Sequence, residues 1–182
     1  MRKAELTKDD FKNIAKVSSK LENLNLYIDD NPILTIPSLR AKSRRLKRLY
    51  NIDLIIIDYL QLMSGSSNAR NDGRVQEISE ITRGLKAVAK ELDIPIIALS
   101  QLSRQVEQRD DHKPLLSDLR ESGSIEQDAD VVMFVYRAAY YLERKEPQAA
   151  TVEHAEWQAK MGEIANLAQL IIAKQRHGPA GN

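Results

Sequence analysis

The sequence predicts an α/β fold in which a mainly parallel sheet is flanked by helices. Short, continuous apolar runs recur along the chain, and such runs are typical of strands that are buried on both faces. Amphipathic helical segments separate these runs, as expected when helices cover a parallel sheet. The 182 residues, of which 42% are hydrophobic, are enough for one sizeable core, so a single domain is expected.

The first segments of the chain predict a helix, a short strand and a second helix. Residues 8–24 carry apolar side chains at helical spacing, and the stretch LNLYIDD at 24–30 resembles a strand. Thr35 can cap the next helix, with Pro37 in its first turn. The outer face of this second helix, 38–50, is basic, which favours a solvated face or a subunit contact over DNA binding.

The apolar run Leu54–Ile57 predicts a buried strand, and Asp58 follows it directly. The small and polar tract at 64–74 is predicted to be a mobile loop, in which Arg70 and Arg74 are candidate DNA contacts. Residues 75–92 carry a helical apolar stripe, and the strand IPIIALS follows at 94–100.

The last third of the chain predicts two more strands with a helical region between them. The runs VVMFVYR and LAQLIIAKQR are the strands, and the tract HGPAGN after the second is predicted to be a tight turn that opens a hairpin. Residues 138–166 between them are charged and helix-prone.

Composition excludes several classes of function. The 27 basic and 26 acidic side chains give a net charge of +1, so bulk charge provides no attraction to nucleic acid or to an anionic membrane. The absence of cysteine excludes disulfides and thiolate metal sites. No apolar run approaches the roughly 20 residues that a membrane span requires, so a cytoplasmic protein is expected.

Two polar side chains follow neighbouring apolar runs and are the first candidate site. Ligands of open α/β sheets collect at the carboxyl ends of the strands, where Asp58 and Gln101 are expected. A carboxylate there can hold Mg²⁺ through water beside a nucleotide triphosphate. The alternatives at this stage are that Asp58 caps a turn or pairs with an arginine, and that Gln101 caps a helix.

Four longer motifs occur in order along the chain: IIIDYLQLM, ALSQLSRQVEQR, SDLRESGSIEQDADVVMFVYR and IIAKQRHGPAGN. Together they resemble the RecA-like motor domain of replicative DNA helicases of the DnaB type. The resemblance extends from about Lys3 to Asn182 and is weakest over 138–166, which we expect to be an insertion.

This resemblance implies a ring-shaped hexamer in the bacterial cytoplasm that hydrolyses ATP or another nucleoside triphosphate with Mg²⁺. It implies movement from 5′ to 3′ on single-stranded DNA and unwinding of the duplex at the replication fork. In the full-length protein it also implies contacts with primase and with a helicase loader.

The resemblance also assigns roles to individual residues. Asp58 matches the Walker B aspartate, which associates with magnesium through water, and Gln101 matches the glutamine that senses the γ-phosphate and communicates with the DNA-binding loops. Lys174 and Arg176 match the pair that reaches into the neighbouring subunit's nucleotide site. Without the resemblance, Lys174 and Arg176 would be two exposed charges on one strand face.

The stretch RESGS at 120–124 corresponds to a loop that lines the central channel and contacts the DNA backbone. Arg120 can pair with phosphate, and Gly123 permits close approach of main-chain N–H groups. Glu121 would repel phosphate and is expected to organise this loop instead. Ser124 can also cap a helix that starts there.

One departure from the family limits these expectations, because none of the seven glycines begins a phosphate-cradling P-loop. The family keeps that loop, and the glutamate that activates water, ahead of the first motif found here. The chain alone is therefore predicted to have no ATPase activity and need not bind a nucleotide. The fold is expected to be incomplete at its N-terminal side and in its C-terminal hairpin.

Two other classes of function remain open at this stage. A recombinase or a circadian-clock ATPase is also RecA-like but should lack SDLRESGSIEQDAD. The second alternative is a nonenzymatic fragment that binds DNA or protein.

Overall fold

The computed structural model describes residues 6–66, 73–119 and 123–178. The helices in these ranges are α1 (Lys8–Glu22), α2 (Ile36–Tyr50), α3 (Arg74–Leu92), α4 (Gly123–Asp128), α5 (Ala138–Glu143) and α6 (Val152–Ile164). The strands are β1 (Leu34–Thr35), β2 (Ile55–Ile57), β3 (Met63–Ser64), β4 (Ile96–Ala98), β5 (Val131–Tyr136) and β6 (Gln169–Gln175).

The strands form three pairs, two parallel and one antiparallel. β1 pairs with β3 and β2 pairs with β4, both in parallel, whereas β5 and β6 are antiparallel. In the β2–β4 pair, Ile55 lies opposite Ile96 and Ile57 lies opposite Ala98. The predicted α/β class is therefore confirmed, and the antiparallel pair consists of the last two strands, which are separated in sequence by α5 and α6.

The ends of the two central helices follow from local chemistry. The Oγ1 atom of Thr35 accepts a hydrogen bond from Ser38 N (3.4 Å) at the start of α2, and Pro37 lies in its first turn, as predicted. Asn51 and Asp93 adopt left-handed conformations, with φ of 49° and 52°, and end α2 and α3.

The core lies where α3 packs between α2, α4 and the strands. The apolar stripe of α3 that the sequence predicts is buried, and Ile78 and Ile81 are almost inaccessible to solvent. From the strands, Ile57, Val132 and Phe134 point into the same cluster. The helical periodicity of 75–92 therefore identified the centre of the fold.

The prediction that the strands are buried on both faces is wrong for the described residues. Side chains alternate between the two faces of a strand, and the helices cover only one face. On the other face, Ile56 and Ile97 of the β2–β4 pair and Val131, Met133 and Val135 of the separate β5–β6 pair are exposed. We call these five residues the open face.

The N-terminal segment also differs from the prediction. α1 forms, with Thr7 and Asp10 as a capping box, but none of its residues is buried. Residues 24–30 are not a strand in the structure. A strand needs a neighbour to satisfy its backbone groups, and none of the described residues pairs with this stretch.

Residues 138–166 form two helices, as their composition predicts. α5 and α6 are joined by a hydrogen bond that Trp157 Nε1 donates to the carbonyl oxygen of Leu142 (2.8 Å). That this segment is an insertion stays a prediction, as does the boundary of a single domain at 1–182.

Candidate functional site

The β2–β4 pair places Asp58 and Gln101 at the same edge of the sheet. Asp58 directly follows β2, and Gln101 lies three residues after β4. Leu99 N donates to the carbonyl oxygen of Ile57 (2.9 Å), and Leu60 N donates to that of Leu99 (2.9 Å). The two chain segments therefore remain together beyond the strands, and both candidate residues lie at their carboxyl ends.

The carboxylate of Asp58 is exposed, and no hydrogen bond or ion pair within the described residues occupies it. The peptide bond between Asp58 and Tyr59 is cis. The structure therefore gives no support to the alternatives in which Asp58 caps a turn or pairs with an arginine.

A single carboxylate fits a magnesium ion only as one of several ligands. Among the described residues, no group of three or more His, Cys, Asp or Glu side chains could hold a metal ion. Mg²⁺ commonly takes one or two carboxylates together with water and substrate phosphates. Asp58 fits this arrangement but does not form a metal centre by itself.

Gln61 joins the two loops that carry Asp58 and Gln101. Its Nε2 atom donates to Ser100 Oγ (3.0 Å), and Gln101 N donates to its Oε1 atom (3.3 Å). The side chain of Gln101 is left exposed at this margin. Sequence reasoning missed Gln61, and the only signal was a polar residue between Leu60 and Leu62 in the motif.

Arg74 lies in a different environment from the one that the sequence predicts. It is the first residue of α3, and its guanidinium donates to the carbonyl oxygen of Gln61 (2.8 Å) and to the carboxylate of Glu77 (2.5 Å). Glu77 also accepts from Gly65 N (2.9 Å). Placing Arg74 in an open loop was wrong, and Arg70 lies outside the described residues.

The basic face of α2 is largely occupied by contacts within the chain. Arg40 and Arg44 pair with Glu91, and Lys42 pairs with Asp29 (2.6 Å). Lys47 donates to the carbonyl oxygen of Ile52 (3.0 Å). These partners agree with the expectation that this face is not primarily a DNA-binding surface.

Of the three residues predicted to contact DNA, Arg120 and Glu121 lie outside the described residues. Gly123 is the first residue of α4 and is exposed, and a Cβ atom added there would meet nothing within 4 Å. Packing within the described residues therefore does not require glycine at this position.

Ser124 does not cap α4 as predicted. It is the second residue of the helix, and its Oγ atom is buried without a hydrogen-bond partner among the described residues. A Ser124 cap would require a helix that starts at Ile125, and α4 starts two residues earlier, at Gly123.

A β-bridge connects the segment after Gln101 with the segment before Arg120. Leu102 and Leu119 form an antiparallel bridge, and Ser103 N donates to the carbonyl oxygen of Asp118 (2.7 Å). Gln101 thus precedes one bridged residue, and the RESGS stretch follows the other. The bridge therefore joins the two ends of the long segment between Leu102 and Leu119.

A buried ion pair holds this connection. Asp118 is almost inaccessible, and Arg109 binds both of its carboxylate oxygens. The hydrogen bond from Arg109 lowers the pKa of Asp118 and outweighs the opposing effect of burial.

Lys174 and Arg176 are directed toward the C-terminal end of α4. Lys174 Nζ donates to the carbonyl oxygens of Glu126, Gln127 (3.4 Å) and Ala129 (2.9 Å). Arg176 donates to the carbonyl oxygen of Gln127 (3.0 Å). In this structure Lys174 is therefore not a free charge on an exposed strand.

The acidic partner at this end of α4 is Asp130. Arg176 lies 3.3 Å from its carboxylate, and Lys86 pairs with the same group. The hydrogen bond from Lys86 is the main cause that lowers the pKa of Asp130, and the charges of Lys86, Arg176 and His177 add to it.

Comparison with known proteins decides the family. The sequence profile of the DnaB-like helicase C-terminal domain matches residues 1–182. The chain belongs to this family. The match leaves no reason to prefer another RecA-like ATPase.

Relatives in the DnaB-like family are similar over the whole chain. The replicative DNA helicase DnaB of Rickettsia prowazekii is 56% identical over 182 residues, which are 100% of this chain and 37% of that protein. The DnaB of Geobacillus stearothermophilus is 48% identical over 181 residues, which are 36% of its length. The chain thus spans just over a third of these relatives.

Solved structures give the same fold. One, of a DnaB-like replicative helicase described with its interactions with primase, superimposes with a TM-score of 0.80 at 40% identity. It covers 99% of this chain, which is 39% of that chain. A second, of an ATPase domain, gives a TM-score of 0.79 and covers 97% of this chain and 56% of that one. Within the described residues, no helix is long and apolar enough to cross a membrane.

Proposed function

We propose that this chain is part of the motor of a replicative DNA helicase. The whole protein would be a ring hexamer that hydrolyses ATP and moves from 5′ to 3′ along single-stranded DNA at the bacterial replication fork. The observation that supports this most directly is the common edge of Asp58 and Gln101 at the carboxyl ends of β2 and β4.

The proposed nucleotide chemistry divides among four residues. Bound Mg²⁺ would neutralise charge on the triphosphate, and Asp58 would hold the water molecules of this ion. Gln101 would donate to an oxygen of the γ-phosphate, since a carboxamide can donate and accept at once. Lys174 and Arg176 would stabilise negative charge on the triphosphate bound by the neighbouring subunit.

The proposed DNA contact is the stretch that leads into α4. Arg120 would pair with phosphate, Gly123 would allow the backbone to approach, and Glu121 would organise the loop through Arg120 or a main-chain N–H group. The open space around Gly123 supports this, because packing within the described part of the chain does not need a residue without a side chain there. Primase and a helicase loader are the proposed protein partners of the complete helicase.

The chain alone should not turn over ATP. Without P-loop amides and lysine the triphosphate lacks most of its ligands, so Asp58 and Gln101 provide only part of a site. An ATPase assay with single-stranded DNA present should show no release of phosphate above background. Turnover that Asp58→Asn abolishes would contradict this expectation.

The helicase assignment can be tested in a chimera. This chain would replace the matching segment of the Geobacillus stearothermophilus DnaB, to which it is 48% identical. The chimera should form a hexamer by light scattering and unwind a forked duplex with ATP. Asp58→Asn should lower ATP turnover by about 100-fold or more, because it removes charge that holds the metal. A hexameric chimera that unwinds equally well with Asp58→Asn would refute the assigned role.

A further inference from the structure

Within the described residues, the hydrogen bonds from other elements to the short helix α4 all lie in its C-terminal half. It has six residues, far fewer than the roughly 12–15 that an isolated helix needs to be stable in water. Ile125 is buried in the core, and Thr82 Oγ1 donates to the carboxylate of Asp128 (2.6 Å). Gly123, at the other end, is exposed, and a Cβ atom added there would meet no atom of the described residues within 4 Å. The position of α4 therefore depends on contacts at its end.

Lys174 makes the largest set of these end contacts. An ammonium group has three hydrogen-bond donors. Lys174 donates to the carbonyl oxygens of Glu126 and Gln127 in the second half of α4, and to that of Ala129 just after the helix. The last carbonyls of a helix have no partner within the helix and carry partial negative charge. Lys174 therefore satisfies groups that would otherwise need water, and Arg176 adds one further bond to Gln127.

We propose that Lys174 is a positioning residue for α4, and thereby for Gly123, the proposed DNA contact that is the first residue of this helix. This inference rests on the proposed function, in which 120–123 contact DNA and Lys174 also reaches the neighbour's nucleotide. All three donors of Lys174 are in use here, so binding a phosphate oxygen requires release of at least one of the carbonyl oxygens in or just after α4. Grip on DNA in one subunit then depends on the nucleotide site of the next.

The test uses the full chain and a fluorescently labelled single-stranded oligonucleotide. Lys174→Met should weaken binding about tenfold, as expected for loss of hydrogen bonds to a charged group. Because Lys174 does not touch a DNA phosphate in this proposal, the slope of log K for the oligonucleotide against log salt should stay unchanged. A direct phosphate contact would instead reduce the slope by about 0.7 on single-stranded DNA.

Lys90→Met is the matched control. Lys90 lies on the exposed surface of α3, and it has no hydrogen bond or ion pair within the described residues. The Lys90→Met variant loses the same charge as Lys174→Met and should bind the oligonucleotide as tightly as the parent chain does. A comparable loss of affinity in Lys90→Met would mean that net charge, not α4, controls binding, and would overturn the proposal.

Amide hydrogen exchange gives a readout that does not need DNA. Ala129 N donates to the carbonyl oxygen of Ile125 (3.0 Å), so its exchange reports on the end of α4. In Lys174→Met this amide should exchange faster, while the amide of Ile81 in the core should not change. Faster exchange at both positions would indicate general destabilisation and would refute a local positioning role, as would unchanged exchange at Ala129.

Arg120→Ala separates failure of this inference from failure of the proposed function. If the chain binds the oligonucleotide and Arg120→Ala does not weaken that binding, the proposed DNA contact is wrong, whatever Lys174→Met does to the Ala129 amide. If Arg120→Ala weakens binding but Lys174→Met leaves both affinity and exchange unchanged, only the positioning role of Lys174 is wrong.

Discussion

The two faces of the paired strands have the same composition but very different surroundings. On the covered face, Ile57 and Phe134 are 5% and 4% exposed. On the open face, Ile56 and Val135, their neighbours in sequence, are 62% and 71% exposed. Burial of these side chains is therefore decided by whether helices cover the face, and not by the type of side chain. The comparison separates the residues that stabilise this chain from those available to a partner.

The difference matters energetically because burial of apolar area is the main favourable contribution to folding, at roughly 25 cal/mol per Å². The covered face, with α2, α3 and α4 packed on it, should therefore supply most of the stability. The open face should add little to the free energy of unfolding and should instead favour association.

The largest expected effect is a cavity in the covered region. Ile81 is fully buried on α3, and Ile81→Ala should lower the free energy of unfolding by about 3–4 kcal/mol. Ile56→Ala makes the same deletion on the open face and should cost less than about 1 kcal/mol. Urea denaturation at low protein concentration measures both, and similar costs would show that the two faces do not differ as described.

The ion pair between Arg109 and Asp118 is the next largest contribution. Removing the carboxylate in Asp118→Asn leaves a partly buried guanidinium without its partner and should cost about 3 kcal/mol at neutral pH. The folded-state pKa of Asp118 is lowered, chiefly by the hydrogen bond from Arg109. Its contribution is therefore complete above the ordinary value of about 3.9 and is lost as pH falls below it.

Unfolding measured from pH 7 down to pH 3 tests this assignment. The parent chain should lose stability in acid more steeply than Asp118→Asn, which lacks the titrating group. Parallel pH profiles for the two proteins would show that another carboxylate accounts for the acid sensitivity.

Self-association is the smallest effect and applies to the open face. Exposed apolar side chains on the strands should make the chain associate as its concentration rises. Val135→Lys places a charge at the most exposed residue of the open face and should weaken association about tenfold. Size-exclusion chromatography with light scattering is the measurement. A clean monomer for the parent chain at high concentration would contradict the expectation.

The sequence predicted best those features that depend on local periodicity and chemistry. The stripe on α3, the Thr35 cap and the carboxyl-end position of Asp58 all follow from spacing within a few residues. The strand expected at 24–30 was wrong because strand formation depends on a distant partner. The open face was missed because an apolar run does not show which layer covers it.

The surroundings of Lys174 could not be predicted for a different physical reason. Its three acceptors are main-chain carbonyl oxygens from residues 45 to 48 positions away, and every residue type carries such an oxygen. No sequence pattern therefore marks them. The hydrogen bond between Gln61 and Gln101 could not be predicted for the same reason, because its donor is the main-chain N–H group of Gln101.

The central claim is that Asp58 and Gln101 lie at the same edge of the sheet, and crosslinking tests it directly. The chain has no cysteine, so the variant Asp58→Cys/Gln101→Cys offers one defined pair to a short bifunctional thiol reagent. In the control Asp58→Cys/Lys90→Cys, the second cysteine is near the end of α3, before the N-terminal end of β4, whereas Gln101 follows the C-terminal end of β4. We predict rapid intrachain crosslinking of the first pair and little of the second. Equal crosslinking of both pairs, or of the control alone, would contradict a shared edge.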